Sequence, residues 1–131
     1  MKKILLLAIF LFGIVYPTIF SKSLHNSKPK PINRWEKEIQ VFEDWDRKNT
    51  YPHNAVLFVG SSSIRLWNTR ECFPQLPVLN RGFGGAQIVD INHFAERIVL
   101  PYKPDIIVFF AGGNDISEGK TSLEVLTDFK S

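Results

Sequence analysis

The sequence predicts an α/β protein in which helices cover both faces of a parallel β-sheet, giving three layers. Two continuous apolar runs, Ala55–Val59 and Ile106–Phe110, show no polar–apolar alternation, which is typical of strands buried on both faces of a parallel sheet. A shorter run, Pro77–Asn80, predicts a third strand. Each run leads into a loop rich in glycine or serine and then into residues at helical spacing, and this repeated unit predicts parallel strand order.

Three longer amphipathic helices are predicted around this sheet. The first spans roughly residues 34–47, because Asn33 and Glu36 have the spacing of a capping box and apolar residues recur behind them. The second follows the glycine-rich stretch RGFGGAQ and is marked by four apolar residues at helical spacing: Ile88, Ile91, Ala95 and Ile98. The third opens with another capping box, formed by Thr121 and Glu124.

The N-terminal residues predict a secretory signal peptide over residues 1–23. Two lysines precede an apolar run from Ile4 to Phe20, and the segment ends in small residues with the spacing of a signal-peptidase site. An uncleaved membrane anchor is the alternative, but the run is short for a span of about 20 residues and Pro17 interrupts it. Residues 24–33 are polar and contain prolines, which predicts a linker before a domain at 34–131. We therefore expect a secreted or periplasmic protein.

Charge and cysteine content exclude several functional classes. The net charge of +3 comes from Lys2, Lys3 and Lys22, which leaves 13 of the 16 basic residues against 13 acidic ones in the rest of the chain. A neutral body lacks the clustered positive charge that nucleic-acid binding requires. Cys72 is the only cysteine, so no internal disulfide can form, and we interpret it as a small buried apolar residue. No stretch has the Cys/His spacing of a zinc site.

The loops that follow the three strands contain the candidate catalytic residues. Because the carboxyl ends of parallel strands meet at one edge of a sheet, we expect the loops GSSS, RGFGGAQ and AGGND to converge there. Gly60 permits a tight turn that exposes a serine hydroxyl at the start of a helix, whose dipole favours a developing anion. The N–H of Gly85 and the side-chain amide of Asn114 supply further donors, which is the equipment for acyl transfer through an oxyanion. A dinucleotide site is disfavoured, because Gln87 stands where the third glycine of that fingerprint is required.

The segments LFVGSSSIRLW, LNRGFGG and AGGND, in this order and spacing, resemble the first three sequence blocks of the SGNH (GDSL-type) hydrolases. The branch they resemble most is that of platelet-activating-factor acetylhydrolase-like bacterial esterases, and the likeness runs from about Trp35 to the last residue. The resemblance implies that Ser62 is the nucleophile, that Gly85 and Asn114 are oxyanion donors, and that Gly60 shapes the turn. Ser61 replaces the aspartate of the family's usual Gly-Asp-Ser, while Trp67 and Asp115 fit its local pattern without a catalytic role.

The same resemblance implies a flavodoxin-like sheet of about five strands, with no cofactor and no metal. It also implies small ester or acetylated substrates, on lipids or sugars. Together with the neutral charge of residues 24–131, the resemblance implies that the protein has no nucleic-acid partner. It implies contact with a membrane only if the signal segment is not cleaved.

The histidine base that an activated serine needs is not evident in the sequence. His25 lies in the linker, His53 precedes the first strand and so lies at the opposite end of the sheet from Ser62, and His93 lies inside a helix that leads away from its loop. The family's Asp-x-x-His block, which provides the base, is absent from the 131 residues. The sequence therefore predicts the N-terminal part of an esterase domain, incomplete at its C-terminus and inactive alone. The alternative is a non-catalytic chain that at most binds an acyl or sugar ligand.

Overall fold

The computed structural model describes residues 31–52 and 54–131, so the predicted signal peptide (1–23) and residues 24–30 of the predicted linker lie outside the described residues. Strands β1 (Val56–Gly60), β2 (Val78–Gly82) and β3 (Ile106–Phe110) form a parallel sheet in the order β2-β1-β3. The strands end level with one another, because the last residue of β1, Gly60, lies opposite the last residues of both neighbours. The predicted α/β fold with parallel strand order is confirmed.

Six α-helices are described: α1 (Glu36–Lys48), α2 (Ser62–Leu66), α3 (Thr69–Cys72), α4 (Ile88–Ile98), α5 (Gly113–Ser117) and α6 (Ser122–Lys130). Two short 3₁₀ helices, Ile32–Trp35 and Leu100–Tyr102, precede α1 and follow α4. The capping box predicted at the start of α6 is present, with the Thr121 hydroxyl accepting from the Glu124 N–H and the Glu124 carboxylate accepting from the Thr121 N–H. None of the described helices is both long enough and apolar enough to cross a membrane.

Alternate residues of the sheet face two different layers of helix. Leu57 and Val59 of β1 are buried beneath α1 and α4, in a core that also holds Phe83 and Phe94. Phe58 points to the opposite face, where its ring packs against aromatic side chains that follow α2 and α3. This alternation places the loop that enters α2 on one side of the sheet and the start of α4 on the other.

Two predicted element boundaries were wrong. The capping box predicted for Asn33 and Glu36 does not form, because Asn33 lies inside the first 3₁₀ helix and α1 begins after Trp35 without a side-chain cap. Strand β2 continues to Gly82, two residues past the predicted end, because its pairing with β1 extends to Gly60. The second strand therefore carries the glycine-rich stretch to the same edge of the sheet as the GSSS loop.

Ion pairs across the core fix α1 against the rest of the domain. The buried guanidinium of Arg81 in β2 donates to Asp46 of α1 and, at 2.6 Å, to the hydroxyl of Tyr102. Arg97 of α4 donates to both Glu36 and Glu43 of α1 at 2.7–2.9 Å. These hydrogen bonds from Arg97 hold the pKa of each glutamate below its ordinary value.

Candidate active site

Main-chain hydrogen bonds tie the three strand ends together at the edge where the site was predicted. The N–H of Ser61 donates to the carbonyl of Phe110, the last residue of β3, at 3.1 Å. The N–H of Phe83, directly after β2, donates to the carbonyl of Gly60 at 3.1 Å. The loops that begin at these residues therefore start side by side, as the sequence predicted.

Gly60 occupies a position that excludes any side chain. A Cβ at Gly60 would overlap the carbonyl oxygen of Phe110 and would lie 2.8 Å from Cγ1 of Ile64. Since both neighbours belong to packed elements, neither can move aside cheaply. The absence of a side chain lets β1 pair closely with β3 and turn at once into α2.

The three serines after Gly60 have different surroundings. Ser61 is the N-cap residue of α2 and is only 6% exposed, and its side chain makes no capping hydrogen bond. Ser62 is the first residue of α2 and is half-buried, whereas Ser63 is exposed. The hydroxyl of Ser62 has no hydrogen-bond partner within residues 31–52 and 54–131. Because α2 has only five residues, few peptide dipoles align behind Ser62, and local N–H groups must stabilise any anion formed there.

Gly85 lies in the loop between β2 and α4 with a φ of +74°, which favours glycine. A Cβ at this position would stand 3.3 Å from the indole of Trp35, so the ring of Trp35 lies directly behind the loop. Trp35 is in turn held by an edge-to-face contact with Phe83 at 5.6 Å and by the guanidinium of Arg34 at 4.8 Å from its ring. The backbone of Gly85 is thus shaped and supported by side chains from the 3₁₀ helix at residues 32–35.

Asn114 connects the loop after β3 to the loop after β2. It lies in α5, and its side-chain amide nitrogen donates to the carbonyl of Ala86 at 2.8 Å. A primary amide carries two hydrogens, so this bond leaves one for another acceptor. The hydrogen bond places the amide of Asn114 beside the residue that follows Gly85, and the two predicted oxyanion donors therefore belong to one bonded loop pair.

Asp115, to which the sequence analysis gave no catalytic role, is fully buried and strengthens the same connection. Its carboxylate accepts from the N–H of Ile88, the first residue of α4, at 3.2 Å, and from the ammonium of Lys120 at 2.8 Å. Lys120 also donates to Asp128 at 2.7 Å. Burial acts to lower the pKa of Lys120, but the hydrogen bonds to the two aspartates outweigh it and raise that pKa. This network was not predicted, because the sequence shows no signal that pairs residue 115 with residues 88 and 120.

The described histidine lies away from Ser62. His93 is exposed on α4, and its ring packs edge-on against that of Phe94 with the centroids 4.7 Å apart. Helix α4 packs with α1 on one side of the sheet, and α2 lies on the other. His25 and His53 lie outside the described residues. Within the described part of the chain, the side chains placed at the three loops include no histidine, and no group of three or more His, Cys, Asp or Glu is arranged to hold a metal ion.

The interpretation of Cys72 as a buried residue was wrong. Its thiol is exposed at the end of α3 and accepts a hydrogen bond from the indole N–H of Trp67 at 3.2 Å. Trp67, 37% exposed, packs edge-on against Phe58 and Phe73. Cys72 is the last residue of α3, and its neighbours Arg70, Glu71 and Pro74 are exposed as well, so this end of the helix faces solvent.

Comparison with known proteins identifies the fold. No family model and no curated protein matches the chain. A solved structure from Streptococcus pneumonia, provisionally assigned as a platelet activating factor, superposes with a TM-score of 0.62 at 20% identity, covering 76% of this chain and 47% of that one. A provisionally assigned GDSL-like lipase from Parabacteroides merdae ATCC 43184 has 19% identity and covers 62% of this chain and 52% of that one, with a TM-score of 0.43 that is too low to carry an argument.

The first of these likenesses establishes a shared α/β fold, in agreement with the SGNH (GDSL-type) resemblance of the three loops. The chain spans about half the length of the solved structures that it matches.

Proposed function

We propose that this chain carries the nucleophile and oxyanion loops of an exported serine esterase of the SGNH (GDSL-type) hydrolase family, acting on small carboxylic esters or acetyl groups. The observation that carries the proposal is the bonded arrangement of the three loops, above all the hydrogen bond from Asn114 to Ala86. This hydrogen bond connects the loop of Gly85 to the loop after β3. Both loops lie at the edge of the sheet where β1 ends and the three serines begin. The SGNH-like sequence blocks in all three loops support the same reading.

In the proposed reaction, the oxygen of Ser62 attacks the ester carbonyl carbon while its proton passes to a base. The carbonyl oxygen becomes an oxyanion that accepts hydrogen bonds from the N–H of Gly85, the free amide hydrogen of Asn114 and the N–H of Ser62. The ester C–O bond then breaks, the alcohol leaves with the proton, and water hydrolyses the acyl-serine by the reverse sequence of proton transfers. The proposal requires a base beside Ser62, and the described residues place no histidine at the three loops.

A second candidate function is a non-catalytic chain that binds an acyl or sugar ligand at the same loops. The observation in its favour is that the described residues place no histidine beside Ser62, and serine without a base is a weak nucleophile. Under this reading the donors remain but turnover does not occur, since oxyanion stabilisation alone provides only about 10³–10⁴ over water.

The two candidates are separated by assaying the protein isolated from its native cells. Intact mass is measured first, followed by labelling with a fluorophosphonate and hydrolysis of short-chain 4-nitrophenyl esters. The esterase predicts labelling and turnover that Ser62→Ala abolishes and that the matched control Ser63→Ala retains. Activity that survives Ser62→Ala but falls with Ser61→Ala or Ser63→Ala would overturn the nucleophile assignment. A protein near 15.0 kDa or slightly lighter, with neither labelling nor turnover, would favour the binding function.

Export is proposed from the N-terminal segment alone. A mature N-terminus close to residue 24 in the medium or periplasm would support cleavage of residues 1–23. Recovery of the whole protein in the membrane fraction, starting at Met1, would support the uncleaved anchor instead.

A further inference from the structure

Arg65 stands beside the proposed oxyanion loop. It follows Ser62 by three residues in α2, so the two side chains lie on one side of this short helix. A Cβ at Gly84 would lie 2.9 Å from Nε of Arg65 and 3.3 Å from its Cζ, which places the guanidinium flat against the residue before Gly85. A positive charge therefore lies next to one of the proposed oxyanion donors.

This charge is not neutralised by the described part of the chain. Four of the six described arginines pair with carboxylates: Arg34, Arg47, Arg81 and Arg97. Arg65 and Arg70 form no ion pair within residues 31–52 and 54–131, and both are exposed. An arginine used only to stabilise the fold would gain from a carboxylate partner, as its four counterparts do.

A groove of about 840 Å³ is lined by Arg65 and by residues of β2, an outer strand of the described sheet. Its lining includes Arg65, Gly82, Trp67, Asn80 and Trp45. Its volume lies in the range of small-molecule sites. The described residues that line it include two arginines and no acidic residue, so the lining itself carries a net positive charge. Ser62, Gly85 and Asn114 do not line it, and Arg65 therefore lies at the junction between the groove and the candidate active site.

We infer that Arg65 is a specificity-determining residue that selects esters carrying a carboxylate close to the scissile bond, with the carboxylate bound at the mouth of the groove. The inference rests on the proposed function, since it names the substrate class for the same site. A guanidinium binds a carboxylate through two parallel hydrogen bonds, and a neutral substrate of the same shape lacks this contact. The aromatic walls of the groove suit the apolar part of such a molecule.

The test measures binding separately from turnover. The full chain is titrated with 4-acetamidobenzoate and with its neutral counterpart 4-acetamidobenzamide, neither of which is an ester. Binding is followed at the indole N–H resonance of Trp67, which lines the groove and is present in the wild-type chain and in every variant. We expect the anion to bind roughly fivefold more tightly, the upper range for an exposed ion pair, and the preference to shrink at high salt. Arg65→Gln should abolish the preference, while Arg65→Lys should retain part of it because the charge remains.

The matched control is Arg70→Gln, which removes the other arginine of the groove and should leave the preference intact. Equal binding of the two probes by the wild-type chain would overturn the inference, as would a preference that survives Arg65→Gln or disappears equally with Arg70→Gln. A purely structural role would lower the urea midpoint of both Arg65 variants without changing the ratio of the two affinities, and that result would also overturn it.

Hydrolysis of 4-acetoxybenzoate and of its methyl ester by the natively isolated protein tests the proposed function separately. Anion preference without hydrolysis of either ester would contradict the esterase and support the role of Arg65 in binding. Hydrolysis of both esters at equal rates, with no binding preference, would support the esterase and overturn the selection by charge.

Discussion

Replacement of Gly60 by alanine tests how closely β1, β3 and α2 meet below the candidate site. The added Cβ would overlap the carbonyl oxygen of Phe110 and press on Ile64, so β3 or α2 must shift. Overpacking of this kind costs about 1–3 kcal/mol. The shift also weakens the hydrogen bond from the Ser61 N–H to the Phe110 carbonyl, which adds roughly 1 kcal/mol. We expect a loss of about 3 kcal/mol in the free energy of unfolding, or a Tm lower by roughly 10–15 °C for a domain of this size.

Two other glycines provide matched controls for the same measurement. Gly113 has no atom within 4 Å of a built Cβ, so Gly113→Ala should change stability by less than about 1 kcal/mol. Gly119 also has open space but a φ of +96°, so Gly119→Ala isolates the backbone cost of about 1–2 kcal/mol. Urea unfolding followed by tryptophan fluorescence gives the midpoints, with unchanged m-values showing that the unfolding reaction is the same. A Gly60→Ala protein as stable as Gly113→Ala would refute the close approach of the two strands.

Three further substitutions test the contacts that hold the domain around the site. Asp46→Ala leaves the buried guanidinium of Arg81 without its carboxylate and should lower the free energy of unfolding in urea by about 3 kcal/mol. Asp44→Ala breaks an exposed ion pair and should lower it by less than about 1 kcal/mol. Equal losses of stability in the two variants would contradict the burial argument. Thr121→Ala removes the cap of α6 and should cost about 1 kcal/mol, checked by the same method, and an unchanged midpoint would count against the cap. Arg97→Gln should lower the Tm most near neutral pH. The two glutamates that pair with Arg97, Glu36 and Glu43, have pKa values in the folded protein that lie below their values in the unfolded chain. The ion pairs therefore stabilise the protein above the unfolded pKa of the glutamates, and this stabilisation is lost as the pH falls through their folded pKa. A Tm difference from wild type that stays constant or widens between pH 7 and pH 3 would contradict that linkage.

The sheet was predictable from the sequence because its signal is local. A continuous apolar run such as Ile106–Phe110 identifies a strand without knowledge of its neighbours, and the structure gives it the same bounds. The predicted burial on both faces was wrong for this strand, which is half-buried with Phe110 exposed because β3 is an outer strand of the described sheet. The start of α1 was not predictable in this way, since Asn33 and Glu36 have the spacing of a capping box but a 3₁₀ helix takes Asn33 into its own turn. The end of a helix depends on competition between α-helical and other local conformations, and the spacing of two residues does not show which of them is more stable.

The candidate site was also predictable only in part. The edge of the sheet at which the loops meet follows from strand order, so Gly60, Gly85 and Asn114 could be grouped from the sequence. The contacts that connect the loops could not, because they join residues far apart in the chain. Asp115 reaches Ile88 across 27 positions, and Arg81 reaches Asp46 across 35. Each is a buried polar group whose partner is selected by the fold as a whole, so neither has a signature in the neighbouring sequence.

The serine at position 61, where SGNH-like sequences carry aspartate, is compatible with the predicted role of Ser62 because the main chain defines this turn. The N–H of Ser61 binds the carbonyl of Phe110, and its own carbonyl accepts from the N–H of Arg65 at 3.0 Å. Its side chain is almost fully buried and caps nothing, so it contributes no hydrogen bond that an aspartate would have to match. An ionised carboxylate at the same place would need a new partner to offset its desolvation. The start of α2, and with it the position of Ser62, therefore depends on two backbone hydrogen bonds and on the missing side chain of Gly60, and the exchange of aspartate for serine leaves all three intact.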